Sequence, residues 1–372
     1  MPDMRFAPPP SVGMKTKTGG LNQISVRSFN ERLVLSLLRQ YGALSRQELG
    51  KKSGLSAQTI SVIVRALEKD GMILPGEKQR GRVGPPTIPM ALNPEGAFAV
   101  GIELGHSEAR LAEVDFTGHI RSLSSVVVPG GSSSGLLDSL TGAVGNLIEG
   151  LSDSHRDRLV GIGVAMPTDI PPEDAELGEE IESRLSTLAT LPVILQNDVT
   201  CAASAEVSFG EARLLDDFIY FFLDTAIGCR LVLGGHIFSG RAGTALSQAN
   251  SGDLASLSRF LLFSNDPSEF WPHSFEWDGH SDAIATWSEG AADELVSTIK
   301  SALAFVDAKT VVVDARLPSE VTQALVSGLE KRLIDEPEFS VKVVQGAVGA
   351  SAKAIGAANL SLNQAYMVQE ST

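Results

Sequence analysis

Cysteine is almost missing: the 372 residues hold only Cys201 and Cys229. Two thiols exclude a disulfide framework, fit a reducing cytoplasm, and are too few for a cysteine-built zinc site. No apolar run has the length needed to span a bilayer. The first twenty residues, MPDMRFAPPPSVGMKTKTGG, lack the apolar core of a signal peptide. They read as a disordered arm over residues 1–20, with Lys15 and Lys17 as solvated cations. Positive charge is also in short supply, with 30 Lys and Arg against 45 Asp and Glu and a net charge of −15. That balance argues against nucleic acid as a partner of the whole surface, though not of one end of it.

The charge is unevenly placed. Residues 1–19 carry +2, residues 20–90 carry +6, and residues 91–372 carry −23. A basic head on an acidic body lets phosphates approach from one side only. The head is punctuated by helix signals. Ser28 and Glu31 have capping-box spacing, Val34, Leu37, Leu38 and Tyr41 recur on one helical face, and Gly42 ends the run. Ser45 and Glu48 repeat the start device, and Gly54 supplies a tight turn. Ser56 caps a third helix whose buried stripe is Ile60, Ile63, Val64 and Leu67, leaving Ala57, Gln58, Thr59, Ser61 and Arg65 outward. Two strands, Met72–Leu74 and Thr87–Leu92, then bracket a glycine-flexed tip with Lys78, Gln79, Arg80, Gly81 and Arg82.

This pattern predicts a winged helix-turn-helix over residues 21–92, whose third helix enters the major groove of DNA. Glutamine suits adenine, and serine and threonine suit either partner. Arginines at a wing tip suit phosphates or a narrow minor groove. The expected DNA-contacting set is Arg46, Gln47, Ser56, Ala57, Gln58, Thr59, Ser61, Arg65, Lys78, Arg80, Gly81 and Arg82. The competing reading is a three-helix protein-binding module with a solvated face; the charge pattern favours DNA.

From Ala97 the periodicity changes to that of a β-meander, followed by a helix over Leu136–Leu151 and strands at Leu159–Pro167 and Leu191–Asp198. A helix runs on through Val207. A second strand–turn–strand unit begins at Phe218, with a helix over Glu294–Val306, a strand at Lys309–Ala315, a helix over Pro318–Leu333, a strand at Val341–Val344 and a closing helix from Ala347. Two α/β halves of like topology facing a cleft resemble the sugar-kinase and actin-like superfamily. The expected fold is therefore multidomain α+β and α/β: a winged helix-turn-helix, then a two-lobed actin-like, ribonuclease H-like ATPase-type body over 93–372. Lobe one would take about 93–195 plus the C-terminal segment 347–372, and lobe two about 196–346.

Several stretches sharpen this. NERLVLSLLRQYGALSRQELGKKSGLSAQTISVIVRALEKDGMI, GRVGPPT, LPVILQNDVTCAASAEVSFG and FFLDTAIGCRLVLGGHIFSGRAG occur in an order that resembles transcriptional repressors of the ROK family. The resemblance implies a DNA-binding regulator, acting as a homodimer or dimer of dimers on an inverted repeat, with a carbohydrate-related effector. It also exposes departures. Where a ROK kinase holds ATP phosphates on Asp-x-Gly-Gly-Thr, this chain has Glu103-Leu104-Gly105-His106-Ser107. Its second phosphate loop begins with Asp224, a charge that repels phosphate, and the adenosine-side glycine pair is Asp314-Ala315. These changes argue against phosphoryl transfer and against an ATP cofactor.

The family's sugar contacts fall on Asn197, Asp198, Ser247 and Asn250. Asp198 takes the place of the catalytic base, which leaves two roles for it: a base acting on a hydroxyl, or a cap on the helix that follows. The zinc cysteines are replaced by SGDLASLS at Ser251–Ser258. His273, Asp278 and His280 match no strong metal spacing, so no metal is expected. Three functions follow: a repressor with a sensing body, a sugar kinase with an accessory head, and a regulator whose cleft is vestigial.

Overall fold

The computed structural model describes residues 29–77, 88–105, 108–127, 133–167, 176–224, 227–238, 281–334 and 341–368. The head holds α1 (Phe29–Tyr41), α2 (Arg46–Ser53) and α3 (Ala57–Lys69), then β1 (Ile73–Pro75) and β2 (Met90–Leu92). β1 and β2 pair antiparallel, and Leu44 adds a bridge to Met90, which completes a winged arrangement. Each helix is where its local chemistry puts it. Ser45 and Glu48 close a reciprocal capping box at the start of α2. Gly54, at φ 71°, makes the left-handed turn between α2 and α3, a conformation any side chain would strain.

The body contains two five-stranded sheets of the same order. In lobe one, β3 (Phe98–Leu104), β4 (Glu108–Asp115) and β5 (Ile120–Val127) form the meander, and β6 (Leu159–Met166) and β7 (Val193–Asn197) extend it in parallel. The order is β5-β4-β3-β6-β7. In lobe two, β8 (Phe218–Leu223), β9 (Ile227–Leu233) and β10 (His236–Phe238) repeat the meander, and β11 (Thr310–Ala315) and β12 (Lys342–Gln345) repeat the parallel extension, giving β10-β9-β8-β11-β12. The described helices of the body are α4 (Ser133–Gly150), α5 (Asp153–Arg156), α6 (Leu177–Ala189), α7 (Asp198–Phe209), α8 (Ser281–Leu303), α9 (Ser319–Ile334) and α10 (Ala352–Tyr366).

The expected elements recur with small shifts, and three differ in substance. α6 has no counterpart in the sequence reading; only Ile181 and Leu185 are buried on it, amid acidic residues, so its periodic signal is thin. α8 starts thirteen residues earlier than expected, and α10 starts at Ala352 behind a 3-10 turn over Gly349–Ser351. The segment 1–28 and the pair of Ser28 with Glu31 lie outside the described residues on the Ser28 side. No described helix is long and apolar enough to cross a membrane.

α10 returns to lobe one and packs tightly against α7, β3 and β6. A Cβ at Gly163 would run into the Ala357 carbonyl, and one at Gly101 into the Ala354 carbonyl. Helix and sheet backbones touch there, which only glycine permits. The head is not loosely tethered. A single apolar core runs from Val34, Leu38, Ile60 and Met90 in the head to Phe116, Ala358 and Met367 in the body.

Candidate nucleic-acid interface

α3 presents the face that the sequence reading assigns to DNA. Its cap is complete: Ser56 Oγ accepts from the Thr59 amide at 3.1 Å and lies 2.8 Å from Thr59 Oγ1. Ser61 donates to the Ala57 carbonyl at 2.8 Å, which holds its hydroxyl beside the helix with acceptor capacity left over. Ser56, Ala57, Gln58 and Arg65 are exposed, and Thr59 and Ser61 are half-buried. Arg46 and Gln47, at the start of α2, are exposed as well. Gln58, Ser61, Val62 and Arg65 follow the i, i+3, i+4, i+7 spacing of one helical stripe. Val62 is 60% exposed and was missed by the sequence reading. An apolar side chain four residues from Gln58, off the buried stripe, is the signal that could have found it; such a group suits a thymine methyl. The wing-tip residues Lys78, Arg80, Gly81 and Arg82 lie outside the described residues, as do Ser247, Asn250, His273, Asp278 and His280.

The head is held to the body by side chains from both. Arg158, just before β6, donates to the carbonyls of Glu95 at 3.2 Å, Gly96 at 3.1 Å and Asp70, the residue after α3, at 3.4 Å. Asn93 Nδ2 donates to Gly71 O at 2.7 Å. On the other side, Arg32 donates to the carbonyls of Gln364 and Met367 at 3.1 and 2.9 Å, and Val368 N donates to Ser36 Oγ at 3.1 Å. α3 is thus positioned by the body as well as by its own domain.

Between the lobes, the places of the phosphate loops are occupied by charge pairs. Glu103, one residue before the end of β3, is paired with Arg110 at 3.4 Å and with Arg316. Asp224, just after β8, is paired with Arg316 at 3.1 Å and Lys353 at 2.9 Å. Lys353, in the first turn of α10, also reaches Asp198 at 2.6 Å. Burial pulls Lys353 down, but Asp224 and Asp198 outweigh it, and its ammonium is held above the ordinary lysine range. Asp224 is therefore no bare charge in a phosphate loop, as the sequence reading has it, but half of a link between the lobes.

Asn197 and Asp198 are brought together at the head of α7, and both are engaged. Asn197 Oδ1 accepts from the amides of Val199 and Thr200 at 3.1 and 3.2 Å and from Arg230, whose Nε donates to Thr200 Oγ1 at 2.8 Å. Asp198 Oδ1 accepts from the Val199 amide at 2.8 Å, while its other oxygen holds Lys353. The cap of α7 is thus Asn197, and Asp198, its first residue, spends its carboxylate on the Val199 amide and Lys353. At the adenosine-side position, Asp314 is buried and accepts from Tyr220 Oη at 3.3 Å and from the Gly349 amide at 3.0 Å. Burial, with Glu206 nearby, pushes its carboxyl up to about 7. Among the described residues no cluster of three His, Cys, Asp or Glu could hold a metal ion.

Two family models match the chain: a winged helix-turn-helix DNA-binding model over residues 30–73 and the ROK family model over residues 99–247. The xylose repressor of Bacillus subtilis is 24% identical over 60% of this chain and 60% of its own length. The transcriptional dual regulator NagC of Escherichia coli is 24% identical over 60% of this chain and 58% of its own length. The match therefore spans about three fifths of these curated relatives. Among solved structures, a ROK family transcriptional regulator, described as a homolog of the Escherichia coli MLC protein, superposes with a TM-score of 0.66. It is 18% identical and covers 91% of this chain and 96% of its own, a likeness of fold.

Proposed function

We propose that this chain, which joins a winged helix-turn-helix to a ROK-family body, is a sequence-specific transcriptional regulator of carbohydrate-related genes, acting as a repressor. The observation that carries the reading is the exposed stripe Gln58–Ser61–Val62–Arg65 on a fully capped α3, set on the basic end of an acidic chain. Gln58 and Ser61 would read base edges, and Arg46, Gln47, Ser56, Ala57 and Thr59 would hold the backbone of the duplex beside them. Lys78, Arg80, Gly81 and Arg82 would supply the wing contact to phosphates or the minor groove. The protein would work in the cytoplasm as a homodimer or dimer of dimers on an inverted repeat, with half-sites about one helical turn, or a multiple of it, apart. A binding selection on random DNA with the full chain tests this. It should return a two-fold symmetric site; a selection with no preferred sequence overturns the reading.

Phosphoryl transfer is disfavoured by the pairing of Asp198 and Asp224 with Lys353. A base bound to an ammonium and a phosphate loop opening with a carboxylate do not suit ATP. Release of ADP from ATP with a panel of hexoses would restore the kinase reading. Effector contacts at Asn197, Asp198, Ser247 and Asn250 would require Asn197 and Asp198 to exchange partners they already have.

A further inference from the structure

The 3-10 turn Pro94–Gly96 carries the chain from the wing strand β2 into β3, and so forms the covalent joint between head and body. His155, on the short α5, faces this joint with both ring nitrogens. Nε2 lies 3.2 Å from Oε2 of Glu95, inside the turn, and Nδ1 lies 2.8 Å from Oε1 of Glu113, on β4. The ring stacks on the buried Phe98, the first residue of β3, with centres 4.0 Å apart and planes 25° apart.

An ionised carboxylate only accepts hydrogen bonds. A neutral imidazole donates from one nitrogen and accepts at the other, so it satisfies one of these two carboxylates and turns a lone pair on the other. The imidazolium donates to both. The demand is strongest from Glu113, which is 5% exposed. Its other partner is the Ser122 hydroxyl at 3.3 Å, and among the described residues His155 is the only basic side chain within ion-pair distance of it. An anion so far from water needs a partner charge. Glu95 has more help: its Oε1 takes Arg121 at 2.5 Å, and Arg121 also reaches Asp115 at 3.7 Å. The other charges around the ring are Arg158, engaged with the carbonyls of Glu95, Gly96 and Asp70, His119 against Asp115, and Asp153 with Arg156 on α5 itself. None of them offers Glu113 a cation in place of His155.

We infer that His155 is a pH-sensitive fastener of the head: as an imidazolium it ties the Glu95 turn to Glu113 of lobe one, and as a neutral ring it keeps only one of the two. Histidine is the side chain that changes charge within the physiological range. Acid therefore tightens the joint and base loosens it. Arg158 holds the same turn and also the residue after α3, so freedom in the joint passes to the end of α3. Loosened heads hold the half-site spacing less well, and operator affinity falls as pH rises. That last consequence rests on the DNA-binding reading; the fastener itself does not.

Amide hydrogen exchange on the full chain, corrected for the intrinsic pH dependence of exchange, tests the joint at Gly96, Phe98 and Phe116, whose amides bond to Asn93, Arg158 and Pro94. Asp314, raised to about 7, titrates in the same range, so Val312 of β11 serves as the reference for its share. From about pH 5 to about pH 8, protection at the joint of the parent protein should fall at least tenfold more than at Val312. In His155→Gln, a neutral side chain at every pH, the two should fall alike. Glu113→Gln removes the buried anion and should have the same effect, which keeps the test in hand if His155→Gln does not fold. A parent joint that falls no more than Val312, or an excess fall that persists in either variant, overturns the fastener. A gel shift on the selected site then reads the coupling: affinity should fall over the same range in the parent protein and not in His155→Gln, and a level affinity in the parent overturns the coupling. No specific DNA binding at any pH, with the joint still pH-sensitive, defeats the DNA reading and leaves the fastener standing.

Discussion

Lys353, in the first turn of α10, lies 2.9 Å from Asp224, the residue just after β8, and so ties the C-terminal helix on lobe one to the first strand of lobe two. The same ammonium holds Asp198 at 2.6 Å. Three carboxylates (Glu103, Asp198 and Asp224) and the cations Arg110, Arg316 and Lys353 thus form one linked set of ion pairs across the two lobes.

Lys353→Met should be costly. A buried ion pair broken from one side leaves the other charge uncompensated, at about 3–5 kcal/mol. Here two carboxylates lose a partner, although Arg316 still holds Asp224. Denaturant unfolding of the full chain should show that loss. Adding Asp198→Asn to Lys353→Met should recover part of it, because the amide no longer needs a cation; strictly additive losses would mean the pair is not coupled.

The close packing of α10 gives a second expectation. Gly163→Ala drives a methyl group into the Ala357 carbonyl, a rigid neighbour. Overpacking of this kind costs about 1–3 kcal/mol, and more where backbone must move. A melting temperature equal to that of the parent protein would show that α10 is not seated as described.

How far the sequence carries depends on distance along the chain. The α2 and α3 caps, the left-handed Gly54 and the buried stripe Ile60–Ile63–Val64–Leu67 were all legible, because each is set by residues within a few positions. The alternation of strands and helices, and its repetition, gave the two lobes in the same way. Partnerships across the fold were not legible. Lys353 meets Asp224 over 129 positions, and Arg39 meets Asn359 over 320. Read alone, Asp224 is a damaged phosphate loop and Arg39 an ordinary helix arginine. Only the return of α10 to lobe one gives them their partners. Val62 escaped for a different reason: an apolar side chain outside the buried stripe was given no face, although its position on α3 turns it out.

Asp314 predicts a pH effect on stability. Its folded carboxyl is raised to about 7, well above the unfolded value near 3.8, first by burial and then by Glu206. Between about pH 4 and pH 7 the folded chain therefore holds a proton that the unfolded chain has lost. Stability from this group is present at the low end of that window and falls as pH rises through 7. Asp314→Asn keeps an acceptor oxygen for the Gly349 amide, turns its NH2 toward Tyr220 Oη as a donor, and removes the titration. The slope of unfolding free energy against pH should flatten in this variant. Glu206, also raised by burial, should leave a smaller slope behind.

DNA binding should separate two kinds of contact. Arg80→Ala and Arg82→Ala should weaken binding to all sequences alike, and each should lower the slope of log affinity against log salt by about 1, because each removes a phosphate contact. Gln58→Ala should act otherwise. A side chain that pairs with a base edge carries about 1–3 kcal/mol of discrimination, so its loss should relax preference at one position of each half-site and leave the salt slope intact. Val62→Ala removes a smaller apolar contact and should reduce preference for thymine at a neighbouring position. Since Gln58 and Val62 are exposed on α3, neither change should alter folding stability by more than about 0.5 kcal/mol. Binding measured at several salt concentrations on matched and single-mismatch sites resolves all four variants. Were Gln58→Ala to lose affinity uniformly with a shallower salt slope, α3 would be holding the backbone, and the base-reading role would pass to another element of the head.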